Sequence, residues 1–210
     1  MNNLIELLLK SVPDDDWIRQ QSHLPWLQVH LTVPAEQILS EASELYSQSV
    51  LHRSSEKFAN YEHQGWRSLT IFGDAPEITE ETDGPKNWTS IADQCPATVQ
   101  FIKNYWEIDN TTGRIRFMWV DPRGYILPHR DSDRHGFRAT NIAISQPEGC
   151  VFRFLEYGNV PFRPGTAFLV DTSNRHLVAN DSDQLRLHII VHSKLKPGII
   201  RQSYAQNFYS

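Results

Sequence analysis

The chain has 210 residues, 40% of them hydrophobic and 21% charged, with a formal net charge of −5. That length suits a single domain, 1–210, able to bury its own core without a disulfide or a structural metal. The composition excludes disorder, collagen and coiled coil, and without a basic excess no nucleic-acid partner is expected.

The N-terminus is apolar at Leu4, Ile5, Leu7, Leu8 and Leu9, but its first positive charge, Lys10, follows them, the reverse of the order in a secretory signal. No run is long enough to cross a bilayer. Cys95 and Cys150 form no paired-cysteine motif and read as reduced thiols. Together these features predict a cytoplasmic protein with no membrane partner.

After the short apolar run at 4–10, Pro13 and the Asp14–Asp16 triplet offer a break and a helix cap. Pro34 opens a helix in which Ile38, Ala42 and Leu45 share one side, with Glu36, Glu41 and Glu44 on the other. Residues 66–72 read as a strand, 74–86 as an acidic turn-rich loop, and 91–106 as a helix entered near Pro96. From Gly113 the texture changes to short β-rich runs at 114–120, 125–129, 137–145, 150–157, 166–170, 176–179 and 185–191. Such spacing predicts a β-sandwich or barrel. The layout is thus a mostly helical support and entrance over 1–110, a β core over 111–195 and a tail over 196–210.

Nine histidines are the compositional oddity. On a strand, His129 and Asp131 share a face, and an imidazole and a carboxylate so placed can reach one divalent metal. A third ligand would complete a 2-His-1-carboxylate triad with open positions. A strand end with a hydrogen-bonded polar pair has the same two residues. Downstream, His176 opens a short apolar strand, and Arg186 and His188 alternate with Leu187, Ile189 and Val191 on another. A buried arginine there needs an anion, and its planar fork suits a carboxylate. An edge-strand arginine facing water would read the same way.

The order His129-x-Asp131, His176, Arg186 resembles the Fe(II)/2-oxoglutarate-dependent dioxygenases. With Arg138, Pro147-Glu148-Gly149-Cys150, Pro164-Gly165, Phe168, Asp171 and Asn180, the segment resembles the aspartyl/asparaginyl β-hydroxylase family. The resemblance spans residues 60–193, most closely 113–193. It implies a mainly β fold with N-terminal helices, a double-stranded β-helix or cupin-like jelly roll. It implies Fe(II) held by His129, Asp131 and His176, with 2-oxoglutarate and O2 as cosubstrates. Arg186 would take the distal carboxylate of 2-oxoglutarate, Arg138 would lie near its other carboxylate, and His188 would share the pocket. The implied reaction hydroxylates an amino-acid side chain, free or within a peptide or protein, and releases succinate and CO2.

Two features depart from the family pattern. Its best-known members carry Gly where Asp131 stands, so this chain has the fuller triad. Met118 and Thr140 stand where some members place a small hydroxylated residue and a His. Asn180 and Asp171 are candidates to orient the histidine ligands or are turn formers, and loops 74–90, 121–125 and 131–137 would build the substrate entrance. A cupin-like protein that binds a metal and a small acid without turnover is the alternative. A zinc hydrolase built on the same triad would have no need of Arg186.

Overall fold

The computed structural model describes residues 14–53, 62–80 and 82–206; the apolar run at 4–10 lies outside them. The elements in chain order begin with α1 (Asp15–Gln21), β1 (Trp26–Val29), α2 (Ala35–Leu45), β2 (Val50–Leu51), β3 (His63–Gly73), β4 (Asn87–Trp88) and α3 (Pro96–Tyr105). There follow β5 (Ile115–His129), β6 (Ala139–Ser145), β7 (Cys150–Phe154), β8 (Gly158–Asn159), β9 (Ala167–Val170), β10 (His176–Asn180), β11 (Arg186–Val191) and α4 (Ile199–Gln206).

The strands form a curled antiparallel sheet in the order β1-β9-β6-β11-β5-β10-β7-β8, with β3 also on β5 and β2 and β4 on β3. The curl comes from β5. Its first half pairs with β11, from Ile115↔Val191 to Val120↔Arg186, and its second half pairs with β10, ending at His129↔His176. One strand thus serves both walls of the jelly roll. At the bend, a Cβ on Gly124 would lie 2.8 Å from the carbonyl oxygens of Asp121 and Gln64, so only glycine lets the strands approach there.

Strand alternation makes two cores. Ile115, Phe117 and Trp119 of β5, with Leu187, Ile189 and Val191 of β11, face the helices and pack with Ile38, Ala42, Phe101 and Ile102. Met118 and Val120 face inward with Ile126, Phe152, Phe168 and Val178. The helical side is tied by caps donated across the chain. The Glu41 carboxylate of α2 accepts from the Ala97 and Thr98 N–H groups at 2.7 and 2.9 Å, satisfying donors at the start of α3. Asp15 of α1 accepts from Gly198 and Arg201 N–H at the start of α4, at 2.9 and 2.8 Å. Asp14 caps α1 through Trp17 N–H at 2.8 Å, as its sequence position suggests.

The first 110 residues are less helical than their sequence reads. They contribute β1 to the edge beside β9 and β3 to the flank of β5. The four residues of β1 are too few for periodicity to declare, and sheet pairing supplies their conformation. The stretch read as a plain tail carries α4, which buries Ile200, Ser203 and Ala205.

Candidate metal and cosubstrate site

A cavity of about 300 Å³ opens between the two walls. All six residues singled out from the sequence, His129, Asp131, His176, Arg186, Arg138 and His188, line it.

The carboxylate and the two imidazoles converge because β10 pairs with the end of β5 at His176↔His129. One donor atom from each of His129, Asp131 and His176 lies within 4.8 Å of the others. Asp131 Oδ1 is 3.5 Å from His129 Nε2, and Asp131 Oδ2 is 3.7 Å from His176 Nε2. Each ring is oriented by the backbone two residues earlier. His129 Nδ1–H donates to Leu127 O at 2.8 Å and His176 Nδ1–H donates to Asn174 O at 3.0 Å. That fixes Nε2 as the lone-pair nitrogen of both rings, the tautomer a metal ligand needs. The Phe152 ring stacks on His176 with centroids 5.2 Å apart. Asp131 N–H donates to Thr172 O at 3.0 Å, which ties the ligand loop to the segment leading into β10.

The ionisation states suit the same role. Burial opposes charge on Asp131, but the neighbouring Arg53 and the two imidazoles outweigh it and hold the carboxyl well below the usual range. Arg53 Nη1 lies 3.1 Å from Asp131 Oδ1. Burial lowers His176 to about 4, against the pull of Asp131. Two imidazoles and a carboxylate on one face of a cavity form a donor set suited to a divalent transition metal.

Deeper in, Arg186 is 3% exposed. Its Nε–H donates to Gln146 Oε1 at 3.1 Å. Gln146 Oε1 also lies 2.8 Å from His188 Nε2. Because Arg186 can only donate, that oxygen is an acceptor, and His188 must donate to it from Nε2. His188 Nδ1 is then an acceptor for Arg186 Nη2–H at 3.2 Å. Asn141 Oδ1 is placed 2.6 Å from the same nitrogen, and because Nδ1 accepts, the amide is assigned with its NH2 end turned to the ring. Burial and then the Arg186 charge push His188 well below its ordinary value. Burial lowers Arg186 to about 10. The result is an oriented guanidinium in a cavity that Met118, Val120, Phe152 and Val178 also line.

Several sequence readings are refined. Arg138 sits at the rim, with Nη1 3.5 Å from Ser132 Oγ. Thr140 is turned away from the cavity and accepts from Trp106 Nε1–H at 3.3 Å, while its neighbour Asn141 lines the cavity. Asn180 does not touch the histidine ligands. Its Nδ2 donates to Val120 O, Asp121 O and Gln184 O, clamping the β10–β11 turn onto the bend of β5. Asp171 accepts from Ser173 in the loop before β10, so it too acts as a turn former.

His52 and His192 also line the cavity, as do Arg53, Arg114 and Arg116. Strand alternation could have found three of these. Arg114 and Arg116 share parity with Met118, and His192 shares it with Arg186 and His188. His52 and Arg53 arrive from β2 and the turn after it, and no local pattern announces that contact.

Two solved structures carry the same curled sheet. One is an oxidoreductase of the 2OG-Fe(II) oxygenase family from Burkholderia pseudomallei (TM-score 0.55, 11% identity, 89% of this chain and 92% of that chain). The other is a prolyl hydroxylase from Trichoplax adhaerens in complex with a hypoxia inducible factor oxygen degradation domain peptide fragment (TM-score 0.56, 11% identity, 95% and 94%). The fold is therefore that of the 2OG-Fe(II) oxygenases. A family model described as Aspartyl/Asparaginyl beta-hydroxylase matches residues 34–194, and the chain belongs to that family. No curated protein matches the sequence. Among the described residues, no helix is long and apolar enough to cross a membrane.

Proposed function

We propose that this chain is an Fe(II)- and 2-oxoglutarate-dependent dioxygenase that hydroxylates an amino-acid side chain, free or within a peptide or protein. One observation carries the reading: a metal-competent His-Asp-His cluster and a buried, oriented arginine share one cavity. The peptide bound to the Trichoplax prolyl hydroxylase supports a substrate of that class.

In this reading His129, Asp131 and His176 hold the iron. With O2 and 2-oxoglutarate the bound metal supplies the oxidation: one oxygen atom enters the succinate formed as CO2 leaves, and the other enters a substrate C–H bond to make an alcohol. The protein binds, orients and excludes water. Arg186 takes the distal carboxylate of 2-oxoglutarate in bidentate fashion. Gln146 and His188 position that guanidinium. Arg138, at the rim beside the ligand loop, is placed for the other carboxylate. The apolar wall around Met118, Val120 and Phe152 keeps the cosubstrate dry, which strengthens its ion pair with Arg186.

The test is succinate formation with Fe(II), ascorbate, 2-oxoglutarate and a panel of amino acids and peptides. Turnover that vanishes in His176→Ala supports the proposal. Tight 2-oxoglutarate binding without any succinate would favour a binding protein. Metal-dependent hydrolysis insensitive to Arg186→Met would favour a hydrolase.

A further inference from the structure

The three side chains of the cluster are not held equally. His129 and His176 stand opposite one another in the β5–β10 ladder, and their side chains are 10% and 4% exposed. Asp131 lies beyond the end of β5, in the connection 130–138 that leads to β6, and its side chain is 33% exposed. The ladder therefore fixes both imidazoles, whereas the carboxylate depends on what holds the connection that carries it. Arg53 meets the carboxylate itself, but an ion pair at the tip of a side chain does not place the backbone beneath it.

The backbone is held by the neighbouring connection, 171–175, between β9 and β10. The two connections run side by side, because His129 stands opposite His176 at one end and Ala139 stands opposite Val170 at the other. Asp131 N–H donates to Thr172 O at 3.0 Å. Further along, His135 Nδ1 lies 2.8 Å from Ser173 Oγ. Asn174 supplies the carbonyl that orients His176. Three successive residues of one turn thus serve the carboxylate, its connection and an imidazole.

Asp171 sets the shape of that turn. Its N–H donates to Pro25 O at 2.8 Å, which anchors it just ahead of β1. Its Oδ1 accepts from Ser173 N–H at 3.1 Å and from Ser173 Oγ–H at 2.6 Å. Its carbonyl accepts from the N–H and Nδ2 of Asn174 at 3.3 and 3.2 Å. These contacts assign the protons. A carboxylate oxygen only accepts, so the Ser173 hydroxyl donates to Asp171 and keeps a lone pair for His135, whose Nδ1–H donates to it. Nδ1 is also 3.8 Å from Asp171 Oδ2. Ser173 is 3% exposed, whereas the His135 side chain is 82% exposed. Packing does not orient a ring that stands in water; the buried hydroxyl and its carboxylate do.

We propose that Asp171, Ser173 and His135 are positioning residues of the metal centre. They latch the Asp131 connection to the turn that aims His176, so that the carboxylate and that imidazole meet the ion as one unit. Opening the latch frees the carboxylate and leaves the β5–β10 ladder intact. This rests on the reading that His129, Asp131 and His176 hold the metal.

The test compares the full-length parent with Ser173→Ala, His135→Ala and His135→Asn. Neither alanine orphans a buried donor, because the exposed imidazole turns to water and Asp171 keeps the Ser173 N–H. All three should melt within about 2–4 °C of the parent without metal. The asparagine amide reaches as Nδ1 does and restores the donor. In the metal-free protein, hydrogen exchange at the Asp131 amide should be about tenfold faster in both alanine variants, a local opening that leaves the amides of β11 unchanged. Titration with Co(II), followed by its visible absorption, should show affinity about tenfold weaker in Ser173→Ala, the low end for losing a supporting partner of a ligand. His135→Ala should lose affinity too, and His135→Asn should return both readouts to the parent values. The proposal is overturned if the Asp131 amide exchanges as in the parent in both alanine variants, or if their Co(II) affinity is unchanged. It is also overturned if affinity falls only in step with the melting temperature, or if His135→Asn behaves as His135→Ala does. Failure of the parent to bind Co(II) would instead sink the metal reading, and the exchange rates would still decide whether the latch holds the Asp131 connection.

Discussion

Replacing Arg186 with Met separates what the arginine does for the fold from what it does for a ligand. The substitution removes two hydrogen bonds, to Gln146 Oε1 and His188 Nδ1. Bonds to a charged group contribute about 1.5–3 kcal/mol each. It also removes a cation whose desolvation costs several kcal/mol, visible in a guanidinium lowered to about 10 by burial. No buried donor is orphaned, since His188 Nε2–H still donates to Gln146 and the Asn141 amide still meets Nδ1. The methionine chain fills the volume of the arginine stem. The opposing contributions are of similar size, so the metal-free protein should melt within about 2–4 °C of the parent, the shift for about 1 kcal/mol at this size. Binding of 2-oxoglutarate should behave quite differently. Truncating one partner of a buried charge pair costs about 2–5 kcal/mol, or roughly 30-fold to several thousand-fold in Kd. Thermal denaturation and titration of 2-oxoglutarate into the Mn(II)-loaded protein read the two effects. A variant that melts far lower yet binds 2-oxoglutarate within threefold of the parent would refute the reasoning, because Arg186 would then be a structural cation.

Gln146→Leu, unlike Arg186→Met, should lower stability. It strands Arg186 Nε–H and His188 Nε2–H, and each orphaned donor costs about 1–3 kcal/mol by denaturant titration. His176→Ala and Asp131→Ala should each weaken metal binding beyond the tenfold to hundredfold lost when a supporting partner of a ligand is removed, measured by competition with a chromophoric chelator. Glu41→Ala should lower stability by about 1–2 kcal/mol, the upper range for losing a helix cap, because its carboxylate serves two N–H groups and the Thr98 hydroxyl of α3. Acid should destabilise the metal-free fold below pH 6.5. His52, His188 and His192 are neutral when folded and bind protons when unfolded. Stability is therefore intact above the unfolded value and falls towards the folded one, about 3 for His192, by up to about 1.4 kcal/mol per pH unit for each histidine. A flat melting profile from pH 7 to 4.5 would contradict that.

Much of the fold was legible because alternation is a local property. The β5 and β11 segments announce both of their faces, and the cavity-facing set of Arg186 and His188 follows from parity alone. The convergence of His129, Asp131 and His176 was suggested by the family resemblance, since a His-x-Asp pair at a strand end is common by itself. What escaped depends on chain segments meeting at a distance. Nothing near Gln146 signals that its carbonyl oxygen would serve Arg186, forty residues away in sequence. Nothing near Arg53 predicts an ion pair with Asp131.

The ring orientation in the His129–Asp131–His176 cluster is local. Each histidine leans on a carbonyl two residues before it, and the two rings meet because β10 lies against β5 with His176 opposite His129. A slip of one residue between those strands would move the imidazoles about 3.3 Å apart along the sheet and turn one of them to the opposite face. On the proposed reading, metal affinity works as a ruler for the closure of the jelly roll. A variant that keeps its secondary structure but mispairs β10 would be silent in circular dichroism and would show itself by failing to bind the ion.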